Sequence, residues 1–163
     1  MTVAEVKKQL NISTDYTDDD DYIQALIDAA IDFVEGEIAA DIEETTNILT
    51  LTNPGQKITA KYAPFLSLIS VDIDGESVDI ESVEVESNFA TTVFTLPESG
   101  GDVKIMFNTG YADEDIPAGI RQAVIIKAAS LYDAERSDMV VGTIVAKTNV
   151  IDSLLTKHKR KYY

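Results

Sequence analysis

The residues with the most evident capacity for chemistry are two acidic stretches, Asp18–Asp21 and the segment from Asp72 to Glu76. Closely spaced carboxylates can bind calcium, but neither stretch continues into the D-x-[DN]-x-[DN]-G pattern with a closing glutamate that an EF-hand loop requires. We interpret Asp18–Asp21 as the acidic start of a helix and Asp74-Gly75 as a hairpin turn. The sequence therefore predicts no metal site.

Other catalytic patterns are also missing from the sequence. His158 is the only histidine and is surrounded by basic residues, so a metal-binding or general-base role is not expected. The chain has no cysteine, no G-x-S-x-G motif and no phosphate-binding glycine loop, and no pair among its 29 acidic residues stands out as an acid–base couple. We predict that the protein is not an enzyme and uses no cofactor.

The charge is high and unevenly distributed. Thirteen basic and 29 acidic residues give a net charge of −16. The segment from Lys147 to Tyr163 contains five basic residues and one acidic residue, Asp152. This segment therefore carries a charge of +4 and the rest of the chain a charge of −20. An acidic body of this kind disfavours binding to nucleic-acid phosphates. No apolar run has the length of a signal peptide or a membrane span, so we expect a soluble protein kept in a cytoplasm.

Helical periodicity dominates two segments, Thr2–Ala40 and Ile116–Asp138. Thr2 and Glu5 fit a capping box, and Val3, Val6, Lys7 and Leu10 follow at helical spacing. Thr17 is the expected cap of a long amphipathic helix over Asp18–Ala40. Helical spacing returns at Ile116-Pro117 and continues through Arg136, and Asn149 is the expected cap of a last helix that carries Leu154 and Leu155.

Between these segments the periodicity changes to two residues, which is typical of strands. Five or six strands are expected, at Ile48–Thr52, Lys57–Ala60, Ser67–Ile73, Ser82–Glu86, Thr92–Leu96 and Val103–Phe107. We therefore predict an α+β fold in which an antiparallel helical bundle core, residues 1–44 and 108–163 with a basic C-terminal tail, carries an inserted small antiparallel β-domain, residues 45–107.

Several short motifs occur in an order that resembles the head–tail connector (adaptor) family of long-tailed bacteriophages, in its longer form with a β-rich insert. The motifs are Lys7-Lys8-Gln9-Leu10, the helix from Asp20 to Glu35, Gly110-Tyr111, Ile116–Ala123, Leu131–Arg136 and Leu154-Leu155. Together they cover both helical segments. The chain departs from the family pattern at Ile38–Ile42, where members often carry a small polar segment.

The resemblance implies a structural virion protein. Such proteins dock as a ring of about twelve copies under the portal protein, extend the DNA channel and provide a platform for neck or tail completion proteins. DNA would pass through the lumen without specific binding, since an acidic wall repels phosphate. The expected location is the neck of the virion, after assembly in the host cytoplasm.

Two groups of side chains are candidates for contacts in such an assembly. A basic, aromatic C-terminus could contact the portal or could simply be a solvated helix end; its residues are Lys157, Lys159, Arg160, Lys161, Tyr162 and Tyr163. Arg121 and Arg136 could contact neighbouring copies or form internal salt bridges. An alternative function is a non-enzymatic binding or regulatory module that recognises a protein partner through the β-insert.

Overall fold

The chain folds into two compact units of different class, which together make an α+β protein. A computed structural model describes residues 1–62, 64–88, 91–98, 100–136 and 150–159, with residues 133–136 described by their backbone alone. One unit combines Met1–Ala39 with Ile116–Lys159 and is helical, and the other comprises Ala40–Asp115 and is built from strands.

The first helix of the helical unit, α1, spans Val3–Leu10. The predicted capping box is present: the Glu5 N–H donates to the Thr2 hydroxyl at 3.3 Å, and the Thr2 N–H donates to the Glu5 carboxylate at 2.8 Å. These bonds satisfy two backbone groups that a helix start otherwise leaves unpaired. The helix ends at Asn11, whose φ of 57° places it in the left-handed region.

Helix α2 spans Asp20–Ile38 and buries one continuous apolar face. The predicted start at Asp18 with Thr17 as the cap was wrong. Asp19 holds the N-cap position without a side-chain capping bond, because its carboxylate instead accepts a hydrogen bond from the Tyr132 hydroxyl at 2.7 Å. Ala39, with a φ of 54°, ends the helix. The buried residues are Ile23, Leu26, Ile27, Ala30, Ile31, Val34 and Ile38.

Helix α3 spans Ala118–Arg136 and contacts each of the other helices of its unit. Pro117 lies just before the helix, and its carbonyl accepts the first helical hydrogen bond from Arg121 at 3.0 Å. The Tyr132 ring lies 5.9 Å from the ring of Tyr22, near the start of α2, and Lys127 Nζ lies 4.0 Å from the centre of the Phe33 ring further along. These two contacts show that α2 and α3 run antiparallel.

A lysine is buried between α1 and α2. Lys7 is 2% exposed, and its ammonium group forms an ion pair with the Asp20 carboxylate and donates to the Tyr16 carbonyl at 2.5 Å. A buried ammonium group without such partners would cost several kcal/mol. The pair therefore fixes the start of α2 against α1.

The strand unit contains two antiparallel sheets. In chain order the strands are β1 Thr45–Thr52, β2 Lys57–Ala60, β3 Phe65–Ile73, β4 Glu76–Val78, β5 Glu84–Ser87, β6 Thr92–Thr95 and β7 Asp102–Thr109. One sheet has four strands in the order β1-β7-β3-β4, and the other has three in the order β2-β6-β5. The described residues thus contain seven strands, where five or six were predicted.

Apolar side chains from both sheets form a single core. Phe94 of β6 and Phe107 of β7 are both fully buried, and their ring centres lie 5.1 Å apart although the strands belong to different sheets. The sheets therefore pack face to face. The remaining buried members of this core are Ile58, Ala60, Val71, Val83, Leu96, Val103 and Ile105.

The sequence missed β4 because only three residues follow the turn before the chain leaves the sheet. Asp74 and Gly75 both have positive φ values, 53° and 83°, and Ile73 pairs with Glu76 across them. This is the predicted two-residue hairpin turn. The chain then forms a short 3₁₀ turn over Ile80–Ser82, so the strand expected from Ser82 begins only at Glu84.

The strand unit extends beyond the predicted 45–107 at both ends. The Thr109 hydroxyl donates to the Asp41 carboxylate, and the Tyr111 N–H donates to the Ile42 carbonyl at 3.1 Å. Gly110 lies between them with a φ of 102°, and a Cβ atom there would be 2.2 Å from the Glu43 carbonyl oxygen. The glycine of the Gly110-Tyr111 motif is thus required by close backbone packing.

No helix in the described residues is long and apolar enough to cross a membrane.

The Lys7–Asp20 pair yields a stability prediction. We expect Lys7→Met to lower the free energy of unfolding by about 1–3 kcal/mol, because it leaves the Tyr16 carbonyl without its donor and the buried Asp20 Oδ1 without its ion-pair partner. Asp20→Asn should cost more, since it leaves the charge on the less exposed partner; the side chains are 3% exposed for Lys7 and 38% for Asp20. Urea denaturation followed by circular dichroism measures both changes.

The matched control is Lys8→Met, which changes an exposed lysine of the same helix. This variant should stay within about 0.5 kcal/mol of the unsubstituted protein. If Lys7→Met behaves like Lys8→Met, the buried pair does not stabilise the helical unit.

Candidate functional site

The described residues offer surfaces rather than a reaction centre. Within the described ranges no group of three or more His, Asp or Glu side chains is arranged to hold a metal ion. His158 lies in the turn after the last helix, where its N–H donates to the Leu155 carbonyl at 2.8 Å. The same C-terminal segment carries the predicted portal-contact residues Lys157 and Lys159.

This segment is attached to the helical unit through its own short helix. Helix α4 spans Val150–Leu155, and Leu155 is fully buried. A Cβ atom on Gly119, at the start of α3, would lie 3.2 Å from the Leu154 carbonyl oxygen and 3.4 Å from His158 Nε2. The absence of a side chain at Gly119 thus lets the end of α4 approach the first turn of α3. The predicted cap of this helix, Asn149, lies outside the described residues.

Lys159 forms a second attachment at the same end. Its ammonium group lies 2.7 Å from Glu37 Oε2, near the end of α2, and 3.2 Å from Asp152 Oδ1 in α4. The hydrogen bonds to Glu37 and then to Asp152 raise the pKa of Lys159 above its ordinary value of 10.5. This stabilisation is present at neutral pH and is lost only as the pH rises through the raised pKa.

The predicted portal-contact residues thus fall into three groups. Lys159 is engaged inside its own chain. Lys157 is exposed on the described surface, two residues earlier. Arg160, Lys161, Tyr162 and Tyr163 lie outside the described residues. The structure therefore places an internal anchor directly before the last basic and aromatic residues of the sequence.

Of the two arginines predicted to contact neighbouring copies, Arg121 has a described side chain and an ion-pair partner in its own chain. Arg121 Nη1 lies 3.5 Å from Glu5 Oε1 in the same chain. Burial opposes ionisation of Glu5, but the hydrogen bonds from the Thr2 N–H and hydroxyl, together with the charge of Arg121, outweigh it and lower the pKa of Glu5 below 4.5. The resulting stabilisation is lost as the pH falls through that lowered value. The side chain of Arg136 is not among those that the structure describes.

Sequence reasoning missed the internal partners of these charged groups. A partner for Lys7 could have been predicted, because Lys7 occupies an apolar position of α1 and a buried lysine needs a nearby carboxylate. The sequence does not indicate which carboxylate pairs with Lys7, because Asp18–Asp21 offers four adjacent candidates. Glu37 likewise gives no sign in the sequence that it binds Lys159, which is 122 positions away.

Three solved structures with the same fold come from gene transfer agent particles. A chain from the neck of an empty gene transfer agent particle, computed with C6 symmetry, matches with a TM-score of 0.75 and 22% identity over 100% of this chain and 91% of that chain. A chain from the virion of a native gene transfer agent particle matches with a TM-score of 0.76 and 20% identity over the same shares.

A third match is to a chain from the neck of a native gene transfer agent particle computed with C12 symmetry. Its TM-score is 0.71, with 21% identity over 99% of this chain and 89% of that chain. The TM-scores show a shared fold, and at identities this low the likeness shows the fold alone. No curated protein matches the chain.

The sequence itself is assigned by a family model. The model described as head completion protein matches residues 1–155, which include both helical segments and all the strands described above. This match confirms the predicted resemblance to head–tail connector proteins, and with it the prediction of a structural virion protein rather than an enzyme. The chain belongs to the head completion protein family.

Proposed function

We propose that this head–tail connector docks as a ring beneath the portal, extends the DNA channel and provides the attachment platform for the next neck or tail protein. The observation that carries the proposal is the family match over residues 1–155. The shared fold with chains in particle necks, computed with C6 and C12 symmetry, supports a ring. Assembly is proposed to occur in the host cytoplasm before the protein becomes part of the virion neck.

The charge of the chain supports passage of DNA without binding. Each copy carries −16, and a ring of such copies surrounds its lumen with negative potential. Phosphates would be repelled from the wall rather than retained on it. An acidic lining is therefore suited to a channel through which DNA must move in both packaging and release.

We place the portal contact at the basic C-terminus. Lys159 anchors this end to Glu37 and Asp152, which supports a defined starting point for the residues that follow. The exposed Lys157 and residues 160–163 then provide positive charge and two tyrosines, which supply apolar area together with a hydroxyl group at an interface. Contacts of Arg121 and Arg136 with neighbouring copies remain a prediction.

Truncation tests the portal contact. We expect removal of residues 160–163 to leave the unfolding transition unchanged, because the Lys159 anchor remains, and to weaken binding to the purified cognate portal by about tenfold. Removal of residues 157–163 should weaken binding further and lower the free energy of unfolding by at most about 1 kcal/mol, since it also removes an exposed ion pair. Electron microscopy of the mixtures reports whether rings form on the portal.

The control is Lys8→Ala, which removes one exposed positive charge elsewhere in the helical unit and should leave portal binding unchanged. Equal binding of both truncated proteins and the full chain would remove the C-terminal assignment. A full chain that forms no complex with its portal would contradict the proposed function itself.

The net charge predicts how the isolated protein behaves in salt. At low ionic strength we expect a monomer in dilute solution, because copies at −16 repel one another over distances longer than their contacts. Raising the salt concentration should promote association, which sedimentation velocity measures. A stable ring at low ionic strength, detected by light scattering, would show that repulsion does not limit assembly.

A further inference from the structure

The three-stranded sheet has edges of opposite charge. Its order is β2-β6-β5, so β2 and β5 are the edge strands. Strand β2 begins with Lys57, and β5 carries Glu84 and Glu86. All three side chains are exposed, and within the described part of the chain none of them takes part in an ion pair. One edge is therefore basic and the other acidic.

The pairing register places these charges at matching positions. Lys57 and Glu84 both pair with Thr95 of β6, from opposite sides. Side chains of paired residues point to the same face of a sheet, so Lys57 and Glu84 lie in one row on the same face. Both are exposed, whereas the next row, which contains Phe94, points into the core.

We propose that β5 of one copy of this protein pairs with β2 of the next copy, so that the sheet continues from copy to copy around the ring. The partner is a second copy of this chain, bound head to tail, and the inference rests on the proposed ring. Continuing the rows across the junction brings Glu84 of one copy beside Lys57 of its neighbour. Glu86 then lies diagonally from the same lysine, within reach of a long side chain.

Strand direction fits a cyclic arrangement. Strands β2 and β5 both run antiparallel to β6, so they run in the same direction within a copy. Neighbours in a ring of about twelve copies differ by a rotation of about 30°, which keeps their strands nearly aligned. The junction is therefore a parallel pairing, and because it joins two different surfaces it can repeat until the ring closes.

The edges of the four-stranded sheet lack this complementarity. Strand β1, at one edge, contains no charged residue, and β4, at the other, contributes Glu76. Neither edge offers a cation to the other. The three-stranded sheet is thus the one in the described structure whose two edges attract each other.

The proposed junction is small, so a single junction between two copies is weak. Each strand has four residues, so a single pair of copies buries far less than a stable interface requires. Association becomes strong when the ring closes or the portal holds neighbours side by side, since each copy is then bound twice. A weak junction of this kind agrees with a protein that is monomeric in dilute solution.

Chemical cross-linking locates the junction. Isotopically labelled and unlabelled full-length chains are mixed with the cognate portal and treated with a carbodiimide, which joins lysine to carboxylate without a spacer. We expect mass spectrometry to find peptides in which Lys57 of one isotope is joined to Glu84 or Glu86 of the other. Cross-links between copies that omit both strands would overturn the proposal, as would the absence of any cross-link between copies.

Charge reversal provides an independent test with a diagnostic sign. Glu84→Lys changes the net charge from −16 to −14, so it should strengthen association if overall repulsion alone mattered. The proposed junction predicts instead that this variant weakens self-association about fivefold to tenfold, because Lys57 then faces a lysine. Lys57→Glu should weaken it as well, and the double variant Lys57→Glu/Glu84→Lys should restore it.

Sedimentation velocity on the full-length variants, at one salt concentration and high protein concentration, measures these changes. The control Lys8→Glu has the same net charge as Lys57→Glu but lies in the helical unit, so it should associate more strongly than Lys57→Glu. Stronger association of Glu84→Lys, or no rescue in the double variant, would overturn the junction. Rings that still form on the portal in that case would leave the proposed function intact, whereas failure to bind the portal would count against the function.

Discussion

Thirteen lysine and arginine side chains face 29 carboxylates in this chain, so the placement of each cation determines which surfaces can come together. In the described residues of the helical unit, several side-chain cations form ion pairs within the unit. Lys7 is buried against Asp20, Arg121 lies beside Glu5, and Lys159 lies between Glu37 and Asp152. Each pair joins elements that are distant in sequence or fixes a helix end. The remaining surface is left strongly acidic, and such a surface resists both phosphate and other copies of the protein.

The strand unit obtains its cohesion from apolar contacts instead. Phe65, Phe94 and Phe107 lie in successive edge-to-face or tilted contacts, with ring centres 6.1 Å and 5.1 Å apart, and bridge the two sheets. Burial of such side chains contributes about 1.5–3 kcal/mol each. The charges on the outer face of the three-stranded sheet are therefore not needed to hold that unit together. Lys57 and Glu84 lie at its two edges, where they are available to a neighbour.

Periodicity allowed most elements to be predicted from the sequence, because an apolar face repeats every 3.6 residues in α2 and every two residues in β7. The start of α2 could not be placed, since the preference of Thr17 for a cap competes with a tertiary hydrogen bond from Tyr132 to Asp19. Strand β4 was not predicted because three residues are too few to show the alternation of apolar and polar side chains. Pairing across the sheet, which places Lys57 level with Glu84, depends on non-local register and has no local signal.

In the proposed function, a copy has to remain apart from other copies until the portal presents a site, and the copies then have to bind one another in order. A large apolar interface would make the free protein aggregate. A short junction of opposite charges on a repulsive body avoids this, because the two forces differ in range. Repulsion between whole copies acts over many ångströms and is screened by physiological salt, whereas paired charges at contact distance are screened less. In the proposed assembly, alignment on the portal removes the entropy cost of finding a neighbour, so the proposed edge contact, too weak to form rings in solution, becomes sufficient to close one.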